Sequence, residues 1–293
     1  KHRLSFASRC KSWPAGHGAR WVSAAPTWQP AWGSCRLSNC PALFEIRRRE
    51  LSSRIIPAMT DLSEPIATRL DAVRQRLRAA EAQYGRQPGS VALLAVSKRQ
   101  PVDAIRVALR LGQQAFGENY LQEAEEKRAQ LADEAIEWHF VGALQSNKTR
   151  AAAEGFDWVH AVDRLKIARR LSEQRPQHLA PLQCCIQVNV SGEASKAGVK
   201  PNAVSELAHA VAALPGLRLR GLMTLPEAVE SFAEQRSAFR QLRVLQEQLI
   251  DEGLTLDTLS MGMSNDLEAA VAEGATLVRL GTAVFGPRPE KSS

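Results

Sequence analysis

This chain is poor in the residues that usually announce a motif. Aromatic residues make up 5% of its 293 positions, with two tyrosines, Tyr84 and Tyr120, and cysteine occurs five times. Neither a G-x-G-x-x-G nor a G-x-x-x-x-G-K-[ST] loop is present, which argues against the common dinucleotide and P-loop phosphate cradles. The six histidines are scattered, and no Cys/His spacing fits zinc. No stretch approaches the roughly 20 apolar residues that cross a bilayer, so no membrane segment is expected. Cys184 and Cys185 are adjacent inside an apolar run. Two reduced core residues are expected there rather than a disulfide or metal pair, which suits a cytoplasmic compartment.

Charge is also missing from most of the chain. The formal net charge is +7, but residues 1–58 carry ten Lys/Arg against Glu45 and Glu50, leaving the remainder at −1. A nucleic-acid partner would therefore rest on the tail alone, and none is expected. That tail holds Trp13, Trp21, Trp28 and Trp32 and lacks periodicity. It reads as an extension preceding a natural start at Met59. An Arg-rich, acid-poor transit peptide is the alternative. Residues 59–293 are expected to form one domain.

What is present is alternation. Leu62, Ile66, Leu70, Val73, Leu77 and Ala80 are spaced by three or four, predicting an amphipathic helix. Strands are expected at Val91–Val96, Gln114–Gly117, Trp138–Val141, Trp158–Ala161, Leu182–Val190, Leu217–Met223, Leu259–Met261 and Leu277–Leu280. Helices are expected at Val102–Leu111, Tyr120–Leu131, Lys148–Ala153, Arg164–Glu173, Asn202–Leu214, Glu230–Ile250 and Asp266–Glu273. About eight alternations, with strands apolar on both faces, predict parallel strands covered by helices. The fold expected is a single (β/α)8 TIM barrel. An open doubly wound sheet would usually show a Gly-rich turn after its first strand, and Ser97-Lys98-Arg99-Gln100-Pro101 is not one.

In such a barrel the C-terminal strand ends carry the site. Lys98 follows the first strand and Glu118-Asn119 the second, and Asn189 lies at the end of the fifth. His139 lies in the third, with Met223-Thr224 at the sixth, Ser264 at the seventh and Arg279 to Thr282 at the eighth. Ser264, Gly281 and Thr282 are the residue types of a phosphate cradle in the last two loops. Lys98 facing them suggests a Schiff base to a phosphorylated aldehyde. Asn265, with Glu268 three residues on, looks like a helix N-cap. His139, between Trp138 and Phe140, reads equally as a core histidine. Lys196 and Lys200 read as solvent lysines.

Several of these stretches resemble, in collinear order from about residue 62 to 288, the YggS/PROSC family of pyridoxal 5′-phosphate (PLP) homeostasis proteins. They are Ala95-Val96-Ser97-Lys98, Phe116-Gly117-Glu118-Asn119-Tyr120, Trp138-His139-Phe140-Val141-Gly142, Leu144-Gln145-Ser146-Asn147-Lys148, Gly221-Leu222-Met223, Met261-Gly262-Met263-Ser264-Asn265-Asp266 and Val278-Arg279-Leu280-Gly281-Thr282 with Phe285-Gly286. The resemblance implies a barrel similar to the N-terminal domain of alanine racemase, without the second β-domain of the racemases. PLP would be held as a Schiff base on Lys98. Ser264, Gly281 and Thr282 would bind its phosphate, Arg279 would face the pyridine nitrogen, and Asn119, His139 and Met223 would line the ring. The implied role is PLP (vitamin B6) homeostasis and amino-acid/keto-acid balance without catalytic turnover. Apo PLP-dependent enzymes are the implied partners, and a monomer is the default. A small PLP-dependent racemase or lyase, and a Schiff-base aldolase of a sugar phosphate, are the alternatives.

Overall fold

Helix α1 (Thr60–Gln83) shows how spacing builds this fold. Ile66, Leu70, Val73, Leu77 and Ala80 share one face and are 6% exposed or less, whereas Leu62 at the start of the stripe stays 36% exposed. Each large aliphatic side chain buried there contributes about 1.5–3 kcal/mol of transfer free energy. The computed structural model describes residues 60–192 and 197–287. The expected extension 1–58, the expected start Met59 and Lys196 lie outside the described residues.

After α1 the elements alternate as the pattern requires: β1 (Ala92–Val96), α2 (Val102–Arg110), β2 (Ala115–Glu118), α3 (Leu121–Gln130), β3 (Glu137–Phe140) and α4 (Thr149–Gly155). They continue as β4 (Trp158–Val162), α5 (Leu165–Gln174), β5 (Leu182–Gln187), α6 (Val204–Ala212), β6 (Leu217–Met223) and α7 (Phe232–Asp251). The described chain closes with β7 (Thr258–Ser260), α8 (Leu267–Ala272), β8 (Leu277–Leu280) and a short α9 (Thr282–Phe285). All eight strands pair in parallel with their sequence neighbours, and β8 returns to β1 to close the barrel. The helix expected to follow β8 in a full ring is supplied instead by α1, which packs against both α2 and α8.

The expected boundaries shift where local chemistry intervenes. Strand β5 ends at Gln187, three residues early, and Val188 beyond it bridges Val199 while its N–H still donates to Met223 O of β6. The helix expected at Asn202 opens as a 3-10 turn, Pro201–Ala203, whose proline suits a first helical position. A second 3-10 turn, Ser146–Lys148, precedes α4.

Strand alternation divides the core. Trp138, Phe140, Phe116, Val278 and Leu280 face outward into the helix–sheet core. The alternate positions point into the barrel, where Leu94, Val141 and Leu277 form one apolar cluster and Trp158, Ala161, Cys185 and Met223 another. Cys184 and Cys185 are both free and buried, and burial pushes the Cys184 thiol up to about 12 and the Cys185 thiol higher still, so both stay protonated. No helix among the described residues is long and apolar enough to cross a membrane.

Candidate functional site

At the C-terminal mouth of the barrel lies a cavity of about 190 Å³ whose lining includes Lys98, Asn119, Ser264, Arg279, Gly281 and Thr282. These six come from the ends of β1, β2, β7 and β8, so the topology gathers residues up to 184 positions apart. Four apolar side chains complete the lining: Val96, Val141, Leu225 and Met263. Ser264 and Thr282 also border a neighbouring groove of about 970 Å³.

The Lys98 end is braced from behind. Ser97 Oγ donates to Glu118 Oε1 at 2.7 Å, and Lys127 Nζ on α3 donates to Ser97 O, Glu118 Oε1 and Glu123 Oε1 at 2.6–2.7 Å. The Arg99 N–H donates to the same Glu123 carboxylate. Both neighbours of Lys98 are thus tied to one buried ion-pair cluster. Burial raises the Glu118 carboxyl pKa, against the lowering influence of Lys127. Arg99 adopts φ +60°, and it alone among described non-glycine residues takes the left-handed region. Such backbone strain persists where surroundings over-determine it, and here it directly follows Lys98.

The phosphate-type end is braced from α1. Arg76 Nη1 donates to Ser264 O at 2.7 Å, and its Nε pairs with Glu268 at 2.5 Å. Asn265 is not the expected cap. Asp266 holds the N-cap position of α8 without a side-chain cap bond, accepting instead from the Met263 N–H. Glu268 is drawn away to Arg76. Thr282 and Ala283 open α9, where leading N–H groups have no intrahelical acceptor. Gly281 sits close enough to Val96 that a Cβ would lie 3.1 Å from its carbonyl oxygen.

Arg279 is buried, and its guanidinium donates to Ser260 Oγ and Thr224 O, each at 2.8 Å. Burial lowers its pKa to about 10, which leaves it charged at neutral pH. Across the cavity, Asn119 Oδ1 has no hydrogen-bond partner although it is buried. A carbonyl oxygen left in that state costs about 1–3 kcal/mol and is satisfied by a ligand donor or water. An amine, a fixed cation, an orphaned acceptor and a small-residue cradle in one cavity fit a phosphorylated pyridine aldehyde.

Residues 68–289 match the family described as alanine racemase, N-terminal domain. Over 223 residues the chain is 59% identical to the pyridoxal phosphate homeostasis protein of Pseudomonas aeruginosa, covering 76% of this chain and 96% of that one. The chain belongs to the pyridoxal phosphate homeostasis protein family. The Escherichia coli K12 member is 50% identical over 226 residues, 76% of this chain and 97% of its own. PipY of Synechococcus elongatus, solved with PLP bound, is 40% identical with a TM-score of 0.67, covering 75% of this chain and all of that one. Alanine racemase of Corynebacterium glutamicum, 19% identical with a TM-score of 0.56 over 76% of this chain and 63% of that one, shares the fold.

His139 and Met223, to which family resemblance gives a ring-lining role, lie outside the cavity lining. His139 lies inside the barrel nearer the opposite mouth, bonded to Glu137 and His160 and stacked on Trp158 at 5.3 Å between centroids. Met223 packs with Trp158, Ala161 and Cys185. Side chains two apart on a strand share a face, about 6.6 Å apart. The cavity is reached two residues further on, by Val141 and Leu225. Both expected residues lie one pleat below that lining. Lys127 and Glu123 were missed because a helical Lys and Glu four apart look like a solvated pair. Asn189, also singled out, accepts from Ser191 and the Gly192 N–H and is not in the cavity lining. Lys200 is exposed, as expected.

Two predictions arise here. Gly142→Ala would place a Cβ against the Asn119 backbone oxygen, so weaker PLP retention is expected from a fluorescence titration. Unchanged retention would show that the Asn119 loop yields freely. The second concerns His139 and His160, whose pKa values burial pushes below 6.5, His160 the further. With the folded pKa below the unfolded one, the unfolded chain binds more protons as pH falls. Stability present above about pH 6.5 is then lost below it, approaching about 1.4 kcal/mol per histidine per pH unit. Urea midpoints from pH 7 to pH 5 check this, and His160→Gln should flatten the slope.

Proposed function

We propose that this chain binds PLP in the cavity at the C-terminal mouth and serves in PLP homeostasis, without catalytic turnover. The observation that carries the reading is the convergence of Lys98, Arg279 and the Ser264–Gly281–Thr282 cradle on one cavity. The name of its relatives and the PLP-bound relative support it. PLP supplies an aldehyde that captures amines and a pyridine ring that, when protonated, draws electrons from carbon.

Each residue has a separate task. Lys98, half-buried at the end of β1, presents the amine. Ser264, Gly281 and Thr282 would receive the phosphate through a hydroxyl pair and close backbone approach. Asn119 offers its unpartnered acceptor. Arg279, a cation that keeps its protons, would donate a hydrogen bond to the ring nitrogen and so would favour the unprotonated ring. A weak electron sink suits storage and release better than carbanion chemistry. The expected partners beyond PLP itself are apo PLP-dependent enzymes, and the expected compartment is the cytoplasm.

Two experiments bear on this. Thr282→Val combined with Ser264→Ala should weaken PLP affinity by about 10-fold or more, two hydrogen bonds to a charged group being lost. Unchanged affinity would remove the phosphate assignment. Incubating the PLP-loaded protein with a panel of L- and D-amino acids should give no racemisation or cleavage. Turnover at a rate typical of enzymes would make the chain a small PLP-dependent racemase or lyase instead.

A further inference from the structure

A single file of polar side chains crosses the barrel interior beneath the candidate site. Arg279 Nη1 donates to Ser260 Oγ at 2.8 Å, and Ser260 Oγ lies 2.9 Å from His160 Nδ1. His160 Nε2 is 2.9 Å from His139 Nδ1, and His139 Nε2 is 2.6 Å from Glu137 Oε1. The serine and both histidines are buried. The Glu137 side chain is 49% exposed and lines a cavity at the opposite mouth together with Asp157 and Gln183. The file therefore joins the cation of the candidate site to a carboxylate at the far end of the barrel.

Its acceptor-only end fixes every hydrogen. Ring positions alone leave histidine tautomers open, but an ionised carboxylate only accepts and a guanidinium only donates. Glu137 accepts from His139 Nε2, so a neutral His139 accepts at Nδ1 from His160 Nε2. A neutral His160 then accepts at Nδ1, and Ser260 Oγ, which accepts from Arg279, gives its own hydrogen there. Burial disfavours the charged form of both imidazoles, and the His139 hydrogen bond holds the Glu137 carboxyl below its ordinary range. Neutral, neutral and anionic is the set of states the directions require.

The file also answers a problem of charge. No carboxylate is paired with Arg279 among the described residues, and a buried cation is costly unless dipoles face it. Here the aligned dipoles turn an oxygen toward the guanidinium and end on the Glu137 charge.

We propose that Ser260, His160, His139 and Glu137 are positioning residues for Arg279, a one-way hydrogen-bonded file that holds its guanidinium charged and oriented toward bound PLP. The orientation toward PLP rests on the proposed function. The file itself does not.

The test uses the full 15N-labelled chain before PLP is added. Long-range 1H–15N spectra should show two buried imidazoles as Nε2–H tautomers at pH 7, assigned by their loss in His139→Gln and His160→Gln. Arg279 should show resolved, slowly rotating Nη resonances, lost in Ser260→Ala and restored in Ser260→Thr. His160→Phe breaks the file one link further away and should broaden the same resonances, so the test survives a threonine variant that does not fold. PLP affinity should then fall about 10-fold in Ser260→Ala, equivalent to about 1.4 kcal/mol. Nδ1–H tautomers, or Arg279 resonances indifferent to Ser260→Ala, would overturn the file. Wild-type protein that shows the file but takes up no PLP would overturn the proposed function and leave the file standing.

Discussion

Lys98→Ala protein, loaded with PLP and treated with borohydride, retains no pyridoxyl label, while its unfolding midpoint stays within about 0.5 kcal/mol of wild type. The chemistry requires this. Borohydride fixes only a carbon–nitrogen double bond, and Lys98 supplies the only amine among the described residues lining the cavity. The small stability change follows from position, because Lys98 sits half-buried at a strand end and its neighbours Ser97 and Arg99 tie the turn to the Glu118–Lys127–Glu123 cluster. Weak non-covalent PLP binding through Ser264, Thr282 and Arg279 should remain. Label persisting at wild-type stoichiometry would place the amine elsewhere.

Lys127→Met is expected to have the largest effect on stability, a loss of about 3–5 kcal/mol, because removing one partner of a buried pair leaves the other charge uncompensated. Glu118 is fully buried, and its Oε2 already lacks a partner. Without Lys127 only the Ser97 hydroxyl would face its carboxylate. The pH dependence follows from the sign. Burial raises the folded Glu118 pKa, so the folded variant holds its proton more tightly than the unfolded chain does. The deficit should therefore be small at pH 5 and grow as pH rises through the folded pKa. Glu118→Gln/Lys127→Met should recover part of the loss. PLP capture should slow in the single variant, because Ser97 and Arg99 lose their common anchor. Urea denaturation at pH 5 and pH 8 measures this. A deficit below about 1 kcal/mol at both would show that the cluster is solvated and not a brace.

The barrel was legible because its strands bury both faces and its helices bury one, and those two periods differ enough to separate eight alternations. The ring's closing helix was less obvious. Periodicity marks α1 as amphipathic, but only its packing against α2 and α8 shows that it fills the place after β8. Likewise, six of the expected residues meet in one cavity because each lies at a strand's C-terminal end. His139 and Met223 lie one pleat below the cavity lining, since sequence gives the face of a strand but not the depth at which the mouth begins. Asn265 failed because Arg76, 189 positions earlier, claims Glu268 and removes half of the expected capping box. The file from Glu137 to Arg279 spans four strands, β3, β4, β7 and β8, and no local pattern connects them.

The most direct test of the central claim is peptide mapping of the wild-type protein after PLP loading and borohydride reduction, with the visible spectrum recorded before and after. The expected result is a yellow protein whose colour is discharged by reduction, carrying one pyridoxyl group on the peptide that contains Lys98. A protein that stays colourless and takes up no added PLP would contradict it, and would return the cavity to a phosphorylated ligand of another kind.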